Sequence, residues 1–368
     1  MIDVNRLINT FLELVNINSP SLKEKKLADY LVKKLSSLGF EVYIDEAGKN
    51  INGETGNVIG KKKGNNKKEP LLFSAHMDTV QPTEGIKTVI ESGIIKTDGT
   101  TILGADDKAG IAAFLEAMEC IKENNLSHPD LEVVFSVAEE IGLLGAKYLD
   151  YGKLSSKIAF VLDSGGPPGT IITRSPAQVD LSITVKGKAA HAGVNPEDGI
   201  NAIAVASKAL SQLKIGRIDE ETTSNIGIIN GGKATNIVPD EVRIYGEIRS
   251  MNKDKLNNLV EFFKNSFEIT AAEEGANIIF KTETGFEDYN LDINSKAVNL
   301  AIKAAEKCKL NPVLAARGGG SDTNVFNLHG IEAVNLGVGI CNDHTDKEYI
   351  SIENLVNCAK LIIVLACN

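Results

Sequence analysis

Residues Leu71 to Asp78 read Leu-Leu-Phe-Ser-Ala-His-Met-Asp, a short apolar run that ends in a histidine and an aspartate. Three later runs share this continuous apolar character, and each is followed by acidic residues or, after a short loop, by a histidine. These runs are Leu131–Ala138 before Glu139 and Glu140, Ile158–Leu162 before Asp163, and Ala333–Val338 before His344. Unbroken apolar runs of about four to eight residues are typical of strands that are buried on both faces of a parallel sheet.

Helical patterns lie between these runs or follow them. Glu24–Leu38 carries leucines at helical spacing with lysines on the opposite face, and Gly39 ends the pattern. Further helical patterns occupy Ala109–Ile121, Ser295–Lys307 and Glu353–Ala366. Apolar strands that alternate with helices predict an α/β fold built on a mainly parallel sheet.

The middle of the chain has a different pattern. Apolar residues alternate with polar ones along Asp180–Lys186 and Glu241–Ile248, which indicates strands with one solvated face. Two further strands and two helices complete a β-α-β-β-α-β order, and they are Thr222–Ile229, Ala276–Lys281, Ile200–Leu213 and Lys255–Ala272. We therefore predict a two-layer domain at residues 176–287, inserted into a catalytic domain formed by residues 1–175 and 288–368.

Composition excludes several functional classes. The 368 residues include 39 Lys and Arg against 49 Asp and Glu, a net charge of −10, and only 5% are aromatic, so a nucleic-acid partner is not expected. Met1–Val15 contains Asp3 and Glu13 and does not resemble a signal peptide, and the apolar tail Leu361–Ala366 is too short to span a membrane. The odd number of cysteines, without a C-x-x-C pair, predicts reduced thiols and a cytoplasmic location.

The residues that end the apolar runs indicate a metal site. The carboxyl ends of parallel strands meet at one edge of a sheet, so the histidines and carboxylates should cluster there, together with Asp106 and Asp107 before the helix at Ala109–Ile121. Such a cluster needs cations, and this donor set suits zinc, with cobalt and manganese as alternatives. Each signal alone has an ordinary explanation, such as a surface histidine or an acidic helix start. Their ordered coincidence carries the prediction.

This order of motifs resembles the di-zinc metallopeptidase family of aminoacylases, glutamate carboxypeptidases, succinyl-diaminopimelate desuccinylases and peptidase T. The resemblance covers nearly the whole chain. Two features favour the peptidase T branch: the sequence Gly-Ala-Asp-Asp-Lys-Ala-Gly at Gly104–Gly110 and the aspartate at Asp163. One segment departs from the usual family motif, the sequence Arg-Gly-Gly-Gly-Ser-Asp at Arg317–Asp322. The matching segments are Ser74–Val80, Leu103–Gly110, Ala138–Gly142, Asp163–Gly165, Ala190–Gly193, Ala234–Pro239, Arg317–Asp322 and Asn342–Thr345. The resemblance implies a zinc-exopeptidase catalytic domain with an inserted lid and dimerisation domain.

The resemblance also implies a ligand set for two divalent ions, most readily zinc. His76, Asp106 and Asp163 would bind one ion, while Asp106, Glu140 and His344 would bind the other. A carboxylate has two oxygens and can bridge two cations about 3.5–4 Å apart, which suits Asp106. Its neighbour Asp107 is expected to cap the following helix or to bond to nearby backbone rather than to act as a ligand.

Two further carboxylates have predicted roles beside the ions. Asp78 would accept the free N–H of His76 and raise the basicity of that ligand. Glu139 would be the general base that takes a proton from the attacking water and later gives one to the leaving nitrogen. A third ligand or a salt-bridge partner are the alternatives for Glu139.

Residues of the inserted domain would meet the substrate. The resemblance makes His191 an oxyanion stabiliser that the partner subunit of a homodimer supplies, and a turn histidine is the alternative. Asn236, Arg249 and the glycine loop are candidate contacts for the substrate termini, and a surface charge on a strand is the alternative for Arg249. The loop residues are Gly318, Gly319 and Gly320.

The leading functional prediction is a cytoplasmic di-zinc exopeptidase that releases the N-terminal residue from short peptides such as tripeptides. An enzyme with the same site that hydrolyses N-acyl amino acids or C-terminal peptide bonds is the first alternative. A non-catalytic peptide binder or a structural dimer is the second, and the complete set of five ligands and a base argues against it.

Overall fold

The computed structural model describes residues 2–367. The helices are α1 (Val4–Val15), α2 (Lys25–Ser37), α3 (Ala47–Ile51), α4 (Ala105–Glu123), α5 (Leu144–Lys147), α6 (Ala202–Leu210), α7 (Lys253–Glu274), α8 (Lys296–Lys307), α9 (Asp322–Leu328) and α10 (Ile352–Ala366). The first nine strands are β1 (Glu41–Ile44), β2 (Val58–Lys62), β3 (Leu71–His76), β4 (Thr88–Glu91), β5 (Ile94–Thr97), β6 (Leu131–Ser136), β7 (Ile158–Ser164), β8 (Thr170–Ser175) and β9 (Ala177–Lys186). The others are β10 (Gly216–Arg217), β11 (Thr222–Gly231), β12 (Glu241–Ser250), β13 (Asn277–Phe286), β14 (Tyr289–Asn290), β15 (Val313–Ala316), β16 (Glu332–Gly337), β17 (Ile340–Cys341) and β18 (Tyr349–Ser351).

The chain divides into two compact units. Unit 1 consists of Met1–Arg174, Asn290–Ala316 and Ser321–Asn368, and unit 2 consists of Ser175–Tyr289 and Arg317–Gly320. The boundaries at Ser175 and Tyr289 lie within two residues of those expected from the sequence. The segment Arg317–Gly320 groups with unit 2, although the sequence analysis assigned all of 288–368 to the first domain.

A mixed sheet of nine strands forms the centre of unit 1, in the order β1-β2-β6-β3-β7-β16-β8-β14, with β15 paired to β8. Its four middle strands, β6, β3, β7 and β16, are parallel. All residues of β3 and β6 are buried, in keeping with their mostly apolar sequences. The predicted α/β class with a mainly parallel sheet is therefore confirmed.

Helix α4 lies directly against this sheet. A Cβ atom at Gly110 would stand 2.4 Å from the carbonyl oxygen of Leu162 in β7, so a glycine is needed for this close approach. Phe114 of α4 packs on Phe73 and Phe135, with ring centroids 5.6 and 5.7 Å apart. This packing fixes the start of α4, which carries Asp106, beside the ends of β3, β6 and β7.

A small antiparallel sheet of unit 1 was not indicated by the sequence. Its order is β17-β18-β5-β4, and β18 pairs with β5 through Tyr349–Lys96 to Ser351–Ile94. The loop between β17 and β18 carries His344. The predicted strand at Leu131–Ala138 is also shorter than expected, because the chain leaves the sheet after Ser136 and turns at Ala138, which has a φ of 51°.

Unit 2 contains an antiparallel sheet in the order β10-β11-β12-β9-β13. Apolar residues from the inner face of the sheet, such as Ile183 and Ile244, form a core with Ala206 of α6 and Phe267 of α7. The glycine loop joins this unit through its own contacts: Ser175 Oγ donates to the Gly319 carbonyl at 2.9 Å. A Cβ at Gly320 would stand 2.4 Å from the ring of Phe286.

Two further features concern the described part of the chain. None of its helices is both long and apolar enough to cross a membrane. No disulfide joins any of the five cysteines, Cys120, Cys308, Cys341, Cys358 and Cys367.

Candidate metal centre

Asp106 lies between two histidines. Its Oδ1 is 3.0 Å from Nε2 of His76, and its Oδ2 is 3.3 Å from Nε2 of His344. A cis peptide bond joins Asp106 to Asp107, and the regular part of α4 begins after these two residues. The two carboxylate oxygens therefore face two different imidazoles, which is the arrangement that a bridging ligand requires.

The remaining predicted ligands complete a cluster on each side of Asp106. Asp163, the next-to-last residue of β7, places Oδ1 3.8 Å from Nε2 of His76. Glu140, after β6, places Oε2 3.0 Å from Nε2 of His344. The structure thus brings the five residues close together, with Asp163 on the His76 side of Asp106 and Glu140 on the His344 side. Ligand atoms from His76, Asp106 and Glu140 lie within 4.8 Å of one another.

The donor set fits divalent ions. Oε1 of Glu140 is buried and accepts no hydrogen bond from residues 2–367, although an unpaired buried carboxylate oxygen is costly. Two imidazoles and three carboxylates are the ligand types that zinc accepts. The carboxylates of Asp106, Glu139, Glu140 and Asp163 also concentrate negative charge that two divalent ions would balance.

Asp107 also lies within ligand distance of His76 and Asp163. Its oxygens, however, are used by backbone groups: Oδ2 accepts from the His76 N–H and Oδ1 from the Gly110 N–H, each at 3.3 Å. This is the capping and backbone role expected for Asp107. The bonds connect the end of β3 to the first turn of α4.

Hydrogen bonds inside the cluster shift the pKa values of its members. Burial would raise the pKa of Asp106, but hydrogen bonds from His344 and His76 outweigh burial and hold that pKa well below its usual range. Hydrogen bonds to Asp106 and Glu140 raise the pKa of His344 to about 10. Burial would lower the pKa of His76, yet its bonds to Asp106 and Asp78 raise it well above its usual value. The carboxylates therefore attract cations, and metal binding would displace protons from both imidazoles.

Asp78 contacts His76 at Nδ1, on the side of the imidazole ring opposite to Asp106. The His76 Nδ1 lies 2.8 Å from the Asp78 carbonyl and 3.5 Å from Oδ1 of Asp78, so both carbonyl and carboxylate face the far side of the imidazole. Asp78 also accepts hydrogen bonds from the backbone N–H groups of Glu139 at 2.9 Å and Glu140 at 3.2 Å. A single carboxylate thus orients one histidine and the adjacent pair of glutamates.

Glu139 is nearly buried and lies next to the ligands. Burial raises the pKa of its carboxyl well above the usual range, and the charges of Asp163, Asp322 and Glu140 raise it further against the opposing effect of His76. Oε2 of Glu140 contacts His344, whereas the carboxylate of Glu139 has no such contact with a histidine among residues 2–367. The two adjacent glutamates therefore differ in their contacts with the histidines.

Residues 72–368 match the sequence profile of peptidase family M20/M25/M40. The chain belongs to this family. A protein of Bacillus subtilis (strain 168), "Uncharacterized protein YqjE", is 44% identical over 99% of this chain and 98% of its own length. Aminopeptidase PepT of Bacillus cereus superposes with a TM-score of 0.91 at 41% identity, over 99% of this chain and 98% of that one. A tripeptidase of Staphylococcus aureus gives 0.96 at 38% identity, over 100% and 98% of the two chains.

Membership of a peptidase family makes the protein an enzyme of peptide-bond hydrolysis and confirms the predicted resemblance. The candidate metal centre lies within the matched range, since His76 and His344 are the first and last residues of the cluster. The substrate, the metal and the roles of individual residues go beyond this and are proposals.

The candidate substrate residues of this M20/M25/M40 peptidase lie in unit 2. His191 and Asn236 are exposed neighbours, because the Ala192 N–H donates to the Asn236 carbonyl at 3.0 Å and His191 bridges to Ile237. Nδ1 of His191 accepts from the Gly193 N–H at 3.1 Å, so a neutral imidazole carries its proton on Nε2. This leaves Nε2–H as a donor.

Arg249 is more constrained than the sequence suggested. Its Nε and Nη2 donate to the two carboxylate oxygens of Glu247 at 2.9 and 3.0 Å, and its guanidinium lies 5.9 Å from the ring centroid of Phe286. Nη1 points towards the carbonyl of Gly318 at 3.4 Å. There is open space next to Gly318 and Gly319. The bidentate edge expected to bind a substrate carboxylate is thus already paired with Glu247.

Sequence reasoning missed residues of the N-terminal segment that support the site. Ser21 Oγ donates to Oδ2 of Asp78 at 2.7 Å, and Ser19 Oγ donates to the Met77 carbonyl at 2.9 Å. Glu24 is fully buried and accepts from the backbone N–H of Ala138 at 3.0 Å. The only local signal was a Ser-Pro-Ser sequence with a glutamate before a helix, which is equally typical of a helix N-terminus.

Proposed function

We propose that this protein is a di-metal exopeptidase that releases the N-terminal residue from short peptides, tripeptides in particular. The placement of Asp106 between His76 and His344, with Glu139 beside them, carries the proposal. The similarity to an aminopeptidase at 41% identity and to a tripeptidase at 38% supports the choice of substrate end and length. The cysteine pattern supports a cytoplasmic location.

Two ions, most readily zinc, with cobalt and manganese as alternatives, would be held by the five clustered side chains. His76, Asp106 and Asp163 would hold one ion, and Asp106, Glu140 and His344 the other. When bound, the ions would lower the pKa of a coordinated water and polarise the scissile carbonyl. Asp78 keeps the His76 ring oriented through its contacts with Nδ1.

Glu139 moves the protons in the proposed reaction. Its carboxylate takes a proton from the attacking water, and the resulting carboxylic acid gives a proton to the nitrogen of the leaving amine. Burial raises the pKa of the Glu139 carboxyl, so its carboxylate, once ionised, is a stronger base than an exposed one. Its fixed position, set by the bond from its N–H to Asp78, keeps it next to the ligands without being one.

His191 stabilises the oxyanion that forms at the substrate carbonyl, and the partner subunit supplies it. The Nε2–H of His191 is the donor that this role requires. Asn236, beside His191, and Gly318 and Gly319, with open space around them, contact the termini of the substrate. Arg249 takes part through Nη1, because Glu247 already pairs with Nε and Nη2.

The dimer forms through unit 2. Strand β11 pairs with β10 only at Thr223 and Ser224, and within residues 2–367 no strand covers its outer edge from Asn225 to Gly231. Ile228 and Ile229 in that stretch are 53% and 51% exposed. An uncovered edge with exposed large apolar side chains is typical of a surface that pairs with another chain.

A panel of substrates tests the proposed function. The purified protein is assayed on tripeptides, dipeptides, N-acetyl amino acids and peptides with a C-terminal glutamate, with added zinc, cobalt or manganese. We expect the tripeptides to be cleaved after their first residue, and we expect chelation to abolish the activity reversibly. Preferred cleavage of N-acetyl amino acids or of C-terminal residues would instead indicate the deacylase or carboxypeptidase alternative. Full activity after complete removal of metal would contradict the two-ion site.

A further inference from the structure

Glu348 is a buried carboxylate that connects two parts of the candidate metal centre. It is 1% exposed and lies four residues after His344, at the end of the loop between β17 and β18. Its Oε2 accepts from the backbone N–H of Gly104 at 2.7 Å, and its Oε1 accepts from the backbone N–H of Asp106 at 2.9 Å. No motif or periodicity in the sequence points to this residue.

These two N–H groups lie at the start of α4, where the helix itself provides no carbonyl acceptors for them. Gly104 has a φ of 71°, and both Asp106 and Asp107 depart from helical dihedral angles. The first N–H groups of a helix need acceptors from outside it. Glu348 accepts two of these N–H groups and so fixes the backbone on both sides of Ala105. The position of the Asp106 Cα, from which the carboxylate extends, is thereby fixed as well.

Glu348 is itself held in the loop that carries His344. Its N–H donates to the Thr345 carbonyl at 3.1 Å, and Thr345 Oγ1 donates to the Asn342 carbonyl at 2.7 Å. The next residue, Tyr349, begins β18 and pairs with Lys96 of β5. One carboxylate therefore joins the segments that carry Asp106 and His344, whose side chains are 3.3 Å apart.

A buried lysine lies close to Glu348. Lys108 is fully buried, donates to the Ile17 carbonyl at 2.7 Å, and lies near enough to Glu348 to interact with its charge. A carboxylate offers an acceptor at each oxygen, whereas an amide offers one acceptor and a donor group. Because the two N–H groups of the turn bind different oxygens of Glu348, an amide in its place would turn its NH2 group towards one of them.

We propose that Glu348 is a positioning residue that holds Asp106 in place to bind two ions, an inference that rests on the proposed two-ion site. It contacts neither the ions nor the substrate in this role. Its contribution comes from the bonds to the Gly104 and Asp106 N–H groups, which keep the Asp106 carboxylate between His76 and His344. Residues that hold metal ligands in place contribute in the same way to the affinity for the metal.

The chain offers a matched control in Glu132. This residue is also 1% exposed, and its carboxylate also accepts from two backbone groups, the N–H groups of Ser155 and Ser156 at 3.0 and 2.8 Å. It lies near the beginning of β6, whereas the glutamate pair of the site follows the end of that strand. Glu132→Gln and Glu348→Gln therefore make the same chemical change in two places.

The experiment measures metal affinity and stability separately. Metal-free wild type, Glu348→Gln and Glu132→Gln are titrated with Zn²⁺ by calorimetry and with Co²⁺ by visible absorption, and their thermal midpoints are recorded. We expect Glu348→Gln to lose about 10- to 100-fold in affinity and to change the Co²⁺ spectrum, as loss of an outer partner of a ligand does. We expect Glu132→Gln to lower the thermal midpoint while its metal affinity stays within about two-fold of wild type.

Glu348→Asp is the second variant. It keeps both acceptor oxygens but is one methylene shorter, so its affinity should lie between those of wild type and Glu348→Gln. Wild-type affinity in Glu348→Gln, or equal losses in Glu348→Gln and Glu132→Gln, would overturn the positioning role while leaving the two-ion site intact. A wild type that binds no ions would instead overturn the proposed function and this inference together.

Discussion

Two adjacent glutamates after β6 meet different partners, and this difference makes their roles separable. Glu140 directs Oε2 to His344 at 3.0 Å, whereas Glu139 is held through its backbone N–H by Asp78. Replacing each carboxylate by an amide keeps its size and removes its charge. The two variants therefore test ligand against base within one pair.

Glu139→Gln should retain two ions and its thermal stability but lose activity, with kcat reduced by about 10²- to 10⁴-fold, because a general base is removed. Glu140→Gln should instead bind fewer ions, because it removes a charged ligand of the ion proposed to be held by Asp106, Glu140 and His344. The two variants are compared by their metal content, measured by elemental analysis, and by their kcat at saturating metal. The assignment would be reversed if Glu139→Gln lost an ion and Glu140→Gln retained both.

Sequence alone was sufficient to nominate residues that follow strands, and it failed for residues that bond to distant backbone. His76 and Asp163 stand at or near the ends of apolar runs, so the geometry of a parallel sheet predicts that they meet. Ser21, Glu24 and Glu348 act on the backbone or side chains of residues far away in sequence. No spacing in the chain encodes such contacts.

At the scale of elements, the long regular patterns were the informative ones. The predicted helix at Glu24–Leu38 is found at Lys25–Ser37, and that at Ser295–Lys307 is found at Lys296–Lys307. The two-residue β17 and three-residue β18 are too short to show any period, yet they frame the loop of His344. His344 was thus predicted as a ligand, but the short strands that frame its loop were not.

Strand β6 also provides a prediction of pH dependence through Glu132. Burial would raise the pKa of Glu132, but hydrogen bonds from Ser156 and Ser155, with an ion pair to Lys61, outweigh it and lower that pKa. A carboxyl with a folded-state pKa below its unfolded value of about 4.3 stabilises the protein above that pH. The contribution is lost as the pH falls through the folded-state pKa.

Glu132→Gln should therefore cost about 1.5–3 kcal/mol of unfolding free energy at pH 7, the range for hydrogen bonds to a charged group. The difference from wild type should shrink as the pH falls below about 4.3. Urea unfolding of the metal-free proteins at pH 7 and at about pH 3.5 measures both values. A difference that stays constant or grows towards acid pH would show that the charge of Glu132 does not stabilise the strand.

At the scale of the whole molecule, a change of pattern indicated two units. Continuous apolar runs give way to alternating ones near residue 176, and unit 2 begins at Ser175. The return of Arg317–Gly320 to unit 2 could not be predicted, because it depends on contacts of a glycine loop with Ser175 and Phe286. Pattern distinguishes the units, while individual contacts decide which loops belong to each.

The proposed dimer makes a prediction about which chain supplies His191. His191→Ala chains are mixed with Glu139→Gln chains in equal amounts under conditions that exchange subunits. If His191 serves its partner, one site of each mixed dimer has both an intact Glu139 and an intact His191. Random pairing makes about half of the dimers mixed, so activity should return to about a quarter of the wild-type value.

Two controls are needed for this experiment: the activity of each variant alone and a measurement of subunit exchange. Each variant alone should have almost no activity, and labelled subunits should show by mass spectrometry or fluorescence that mixed dimers have formed. If His191 served its own chain, both sites of every mixed dimer would contain one defect and the mixture would gain nothing. Absence of recovery with complete exchange would therefore rule out the role in the partner, whereas recovery to about a quarter would require that a site of one chain be completed by the other.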